Sequence, residues 1–86
     1  MICYNEIRSL TLGQVTDELA AAGWDSAQAD IDAARDAVAR LVSATQGCAL
    51  FDSETGDRIR AATDDEAASS INAGYIIVDG RKCYVA

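Results

Sequence analysis

The chain has 86 residues, fourteen acidic and seven basic side chains, a formal charge of -7, half of its residues hydrophobic, and neither histidine nor proline. That length holds one domain, residues 1–86, and the composition is that of a globular chain rather than a disordered one. The acidity disfavours nucleic acid and anionic membranes as direct partners, since lysine and arginine carry most of that binding, and the missing histidine removes the commonest general base and zinc ligand.

The first ten residues are open between helix, a short strand over Ile2 to Ile7, and an arm. From Thr11 the pattern is helical. Thr11 and Gln14 have the spacing of a capping box, Leu12, Val15, Leu19 and Ala22 recur on one face, and Gly23 supplies a stop. Gly13 inside a longer helix would cost about 1 kcal/mol against alanine, which favours the later start. Trp24 then sits between helices and is expected to wedge them against the core. Asp25 and Ser26 offer caps for a second helix that Gly47 ends. Its apolar stripe is Ile31, Ala34, Val38, Leu41 and Val42, with Asp32, Asp36 and Arg40 on the other side and Asp36 and Arg40 spaced as an i,i+4 pair. The two helices read as an antiparallel hairpin.

After Cys48 the period changes from helical to alternating. Ala49-Leu50-Phe51 and Arg58-Ile59-Arg60-Ala61 read as strands around the loop 52–57, rich in turn formers. Asp52, Glu54 and Asp57 invite a calcium reading, but the loop lacks full ligand spacing and a terminal bidentate glutamate, so a solvated hairpin tip is expected. Thr63-Asp64-Asp65-Glu66 forms a second capping box with its acids in the first helical turn, followed by Ala67, Ala68 and Ile71. Tyr75-Ile76-Ile77-Val78 reads as a strand covered on both faces or central in its sheet. Asp79-Gly80 predicts a type I′ turn into the strand Arg81 to Val85. The order is α-α-β-β-α-β-β: an α+β domain with a helical hairpin packed on a small antiparallel sheet of two β-hairpins.

Cys3, Cys48 and Cys83 are far apart, form no CxxC pair and have no named activating neighbour. They read as small hydrophobes rather than as a zinc site, a disulfide or a nucleophile. No cofactor or metal is expected. No apolar run reaches the roughly 20 residues of a membrane span, and Met1 to Glu6 lack the basic-then-apolar order of a signal peptide, so a cytoplasmic location is expected.

The C-terminal half, with Asp57-Arg58-Ile59-Arg60, the capped Thr63-Asp64-Asp65-Glu66 helix and the Asp79-Gly80 hairpin, resembles a type of short uncharacterised protein from actinobacteria and their phages. The likeness covers residues 50–86. It implies a bacterial or phage-infected cell and brings no catalytic residues with it. In general character the chain is also similar to the small acidic anti-defence proteins of phages, the anti-CRISPR proteins among them, which act by binding. The expectation is a non-catalytic acidic module, an inhibitor that meets a basic nucleic-acid-binding host protein through Asp32, Asp36, Asp52, Glu54, Asp57, Asp64 and Asp65. Electrostatic complementarity of that kind speeds association and sets specificity. The alternatives are an assembly protein acting as a homo-oligomer, such as a homodimer through an exposed strand, and a small enzyme running on carboxylates with Tyr4, Tyr75 or Tyr84 assisting.

Overall fold

The computed structural model describes residues 2–23 and 30–86. The chain opens with a 3-10 helix, Tyr4–Ser9, which settles the reading left open for the first ten residues. Tyr4 and Ile7, three apart, share its inner side and are both buried. Helix α1, Leu12–Ala21, begins at the predicted capping box: the Thr11 hydroxyl accepts from Gln14 N–H while the Gln14 side chain accepts from Thr11 N–H. Helix α2 spans Ile31–Gln46, with Asp30 as its cap, accepting from Ala33 N–H at 2.7 Å. Asp25, Ser26 and Trp24, to which the sequence assigns cap and wedge, lie outside the described residues. Gly47, at φ 79°, closes α2.

Four strands follow: β1 Ala49–Asp52, β2 Arg58–Ala61, β3 Ile76–Val78 and β4 Arg81–Val85, with helix α3, Asp64–Ala73, between the two hairpins. The sheet is antiparallel throughout, in the order β2-β1-β4-β3. The α+β class and the α-α-β-β-α-β-β order therefore stand. The Asp79-Gly80 turn has the geometry a type I′ turn demands, with positive φ at both residues, 51° and 77°.

Three sequence expectations need correction. The Tyr75 to Val78 run is neither central nor covered on both faces, because β4 takes the inner position between β1 and β3. Its run of apolar residues leaves Ile77 63% and Tyr75 45% exposed. The helices α1 and α2 are not folded back on each other. Arg35 of α2 donates to Arg8 O and Leu10 O, just before α1, while Ala21 and Ala22 at its other end border Leu41, so α1 advances along α2. Leu12, assigned to the inner stripe, is 44% exposed, and Val15 and Leu19 alone carry the buried side of α1.

Helix α3 is the structural hinge of the packing. It contacts α2 on one side and β3 and β4 on the other. Burial on two sides requires small side chains, and Ala67, Ala68 and Ser70 are buried with Ile71. Alanine on both helices, Ala34, Ala37 and Ala39 on α2, lets the axes approach closely. The core then runs from Ile7, Val15 and Leu19 through Val38, Val42 and Ile71 to Leu50, Cys83 and Val85 on the inner face of the sheet. The 3-10 helix is tied to α3 through backbone acceptors. Tyr4 Oη donates to Ala67 O at 2.7 Å, and Arg8 donates from Nε to Ile71 O and from Nη2 to Ser70 O at 2.7 and 2.8 Å. A guanidinium at that end complements the negative end of the helix dipole. Burial pushes the Tyr4 hydroxyl up to about 12.

Candidate functional site

The acidic side chains separate into two groups at different ends of the molecule. β1 runs from Ala49, which pairs with Ala61, to Asp52, which pairs with Cys83. The 53–57 loop and the Asp79-Gly80 turn therefore share one end of the sheet, while the start of α3, just after β2, lies at the other. Asp52, Glu54 and Asp57 are not brought together with Asp32, Asp36, Asp64 and Asp65.

The larger group lies along the seam of α2 and α3. The two helices are antiparallel there: Asn72 Nδ2 donates to Asp32 O at 3.0 Å, and one helical stretch further on Arg40 meets Asp65. Arg40 Nε also donates to Asp36 Oδ1 at 2.9 Å, realising the predicted i,i+4 pair. One guanidinium thus draws a carboxylate from each helix, and both contacts strengthen its own proton affinity. Asp32 and Asp64 are exposed and form no side-chain hydrogen bond or ion pair among the described residues. Of these four carboxylates, Asp36 and Asp65 pair with Arg40, and Asp32 and Asp64 pair with no cation among the described residues.

Glu66 shows why neighbouring acids cannot be counted alike. Its two oxygens accept from Arg60 Nη1 and Nη2 at 2.7 and 2.8 Å, and Oε1 also accepts from Thr63 N–H at 3.0 Å. The Arg60 guanidinium first, then the Thr63 amide, hold its carboxyl down at about 2. The Thr63 hydroxyl returns the favour by accepting from Glu66 N–H, completing the predicted box.

At the loop end, Asp52 is structural. Its Oδ1 accepts from Glu54 N–H and Thr55 N–H at 2.8 and 3.2 Å, and its Oδ2 lies 3.4 Å from Arg81 Nη1. Those amides, with Arg81 adding to them, hold its carboxyl below the ordinary aspartate value. An aspartate used this way builds the turn and is mostly withdrawn from solvent, with its side chain 12% exposed. Glu54 and Asp57 are exposed. Asp52, Glu54, Arg81 and Lys82 line a shallow cleft of about 370 Å³. Asp52 is the more enclosed acid there, and its oxygens are already engaged by donors, which suits neither proton donation nor proton abstraction near neutral pH. Among the described residues, no three acidic or cysteine side chains come together as a metal cage. None of their helices is long and apolar enough to cross a membrane.

A second surface was missed in the sequence. Because Leu50, Cys83 and Val85 face inward, the alternation of β1 and β4 sends Phe51, Lys82 and Tyr84 outward. The register adds Arg58 opposite Phe51 and Ile77 opposite Lys82. Phe51 and Tyr84 stack with ring centres 5.3 Å apart, and Lys82 Nζ stands 4.7 Å from the centre of the Tyr75 ring. Arg58 and Lys82 are the two cationic side chains without a hydrogen bond among the described residues. No acidic strand residue lies on this outer face. Pairing the strands correctly would have revealed it, since each contributing residue is ordinary in its own strand.

Comparison with protein-family models, curated proteins and solved structures gives no match.

Proposed function

We propose that this protein is a non-catalytic binding module that docks the α2–α3 seam against a basic protein surface. The observation that carries the reading is the arrangement about Arg40, where Asp36 and Asp65 converge from two helices, while Asp32 and Asp64 on the same helices pair with no cation among the described residues. Both helices are packed into the core by their buried residues, so the carboxylates project from helices rather than from loops. A basic partner such as a nucleic-acid-binding protein presents lysines and arginines at the spacing of phosphates, and fixed carboxylates compete for them. In that setting the module acts as an inhibitor, in the cytoplasm of a bacterial or phage-infected cell. Asp52 takes no part, because its role is to shape the hairpin loop.

The test compares the native chain with a triple variant, Asp32→Asn, Asp36→Asn and Asp65→Asn, each immobilised and exposed to bacterial lysate at low and at high salt. The native chain is expected to retain basic nucleic-acid-binding proteins at low salt and to release them as salt rises, since exposed charges are screened. The neutralised variant should fail to retain them. Retention of the same proteins by both chains, or retention indifferent to salt, overturns the proposal.

A further inference from the structure

The two edges of the sheet are unlike. β2 carries Arg58 and Arg60 and is interrupted by a register shift against β1, and charge and irregularity both discourage further pairing. β3 has neither protection. It is Ile-Ile-Val, preceded by Tyr75, with unbroken pairing to β4.

A two-residue turn makes Val78 and Arg81 the hydrogen-bonded pair nearest the turn, and Ile76 and Cys83 the next. The N–H and C=O of Ile77 therefore point away from β4. They have no backbone partner elsewhere among the described residues. On the outer face beside them stand Ile77 and Tyr75, with the Lys82 ammonium leaning over the Tyr75 ring. That ammonium has no carboxylate partner in the described chain.

We infer that the open edge of β3 is a strand-addition site for an extended, acidic peptide segment of a partner protein. The incoming backbone pairs with Ile77, extending the sheet to five strands, and a carboxylate on its outward side reaches Lys82. The sign of the charge selects the occupant, because Lys82, on the strand next to this edge, pairs with no carboxylate among the described residues, Glu54 of the neighbouring cleft included, and the outer face carries no acidic strand residue. A nucleic acid fits less well. The Phe51 and Tyr84 rings already cover each other at an interplanar angle of 10°, leaving less ring face for bases, and a strand edge is satisfied by another peptide backbone. A second copy paired symmetrically about Ile77 brings a second Lys82 into the same row, and no strand carboxylate to meet either. This site lies on a different surface from the α2–α3 seam and does not depend on it.

The probe is a synthetic eight-residue peptide alternating valine with glutamate, titrated into isotopically labelled protein. It is compared with its valine-lysine counterpart, with the glutamate peptide N-methylated at alternate residues, and with a thymidine oligonucleotide. The glutamate peptide should shift the amide signals of Tyr75, Ile77 and Lys82 and slow hydrogen exchange at Ile77. The lysine peptide and the Lys82→Gln variant should each weaken binding about fivefold, the scale of one exposed ion pair. The N-methylated peptide should not bind. Lys82 is exposed, so its substitution leaves the fold intact, which circular dichroism verifies. Absence of shifts at millimolar peptide overturns the inference. Equal affinity for both charged peptides, tighter binding of the oligonucleotide, or self-association through β3 does so as well.

Discussion

Replacing Glu66 by alanine removes three contributions at once, and their sum should dominate the stability of the C-terminal half. Loss of the Glu66 half of the capping box, the bond from Thr63 N–H to its Oε1, costs about 1 kcal/mol, while the Thr63 hydroxyl keeps its bond to the N–H of residue 66. Loss of the two-pronged contact with Arg60 costs about 1 kcal/mol, tempered because the arginine side chain is 46% exposed. Removing a negative charge from the first turn of α3 adds about 0.5 kcal/mol. The expected total is about 2–3 kcal/mol. For a chain of this size each kcal/mol moves the melting temperature by about 5 °C, so Glu66→Ala should melt about 10–15 °C lower. Urea denaturation followed by circular dichroism gives the same quantity isothermally. The pH dependence provides an independent check. Glu66 is held at about 2 in the folded chain against an ordinary 4.5, so its charge-dependent stabilisation is complete above about 4.5 and fades as pH falls towards 2. After allowance for solvent screening that part is about 1–2 kcal/mol. The gap between native chain and variant should therefore narrow by that amount between pH 6 and pH 2. A cost below about 0.5 kcal/mol at neutral pH, or a gap unchanged on acidification, refutes the reasoning.

Other substitutions separate stability from binding. Arg40→Gln leaves Asp36 and Asp65 without their shared cation; it should change stability by less than about 1 kcal/mol yet speed association with a basic partner, measured by stopped-flow mixing at low salt. Gly74→Ala should cost more than 1 kcal/mol in denaturant titration, because residue 74 sits at φ 89° and an added Cβ would lie 3.0 Å from Arg8 Nη2. The three thiols should react with a disulfide reagent in order of access: exposed Cys3 first, then half-buried Cys48, whose thiol burial pushes up, and buried Cys83 at the rate of unfolding.

Local chemistry was legible in the sequence where one short segment contains the whole interaction. Thr11 with Gln14, Thr63 with Glu66, the Asp36–Arg40 pair and the Asp79-Gly80 turn each lie within a few residues, and each forms as its spacing dictates. Long-range partners were not legible. Nothing near Arg8 in sequence announces that it binds carbonyls of residues 70 and 71, and nothing near Asp65 announces Arg40. The placement of Tyr75 to Val78 failed for a related reason. An apolar run records how hydrophobic a strand is, whereas its place in the sheet depends on which neighbour wins the pairing with β1. The candidate acids were visible as residues, but their division between seam and loop, and the diversion of Asp52 into a turn, required the register.

The sheet order also makes closure of the fold wait for the last strand of the chain. β1 and β2 form a hairpin whose inner edge has no partner until β4, about twenty residues further along the chain, is in place. Until then the backbone edge of Leu50 to Asp52 that pairs with β4 stays open, and the sheet closes in one late step. A chain cut after residue 80 would keep that edge open, and the full chain would not. The shortened chain should therefore aggregate more readily than the full one, although both carry the same β1–β2 hairpin.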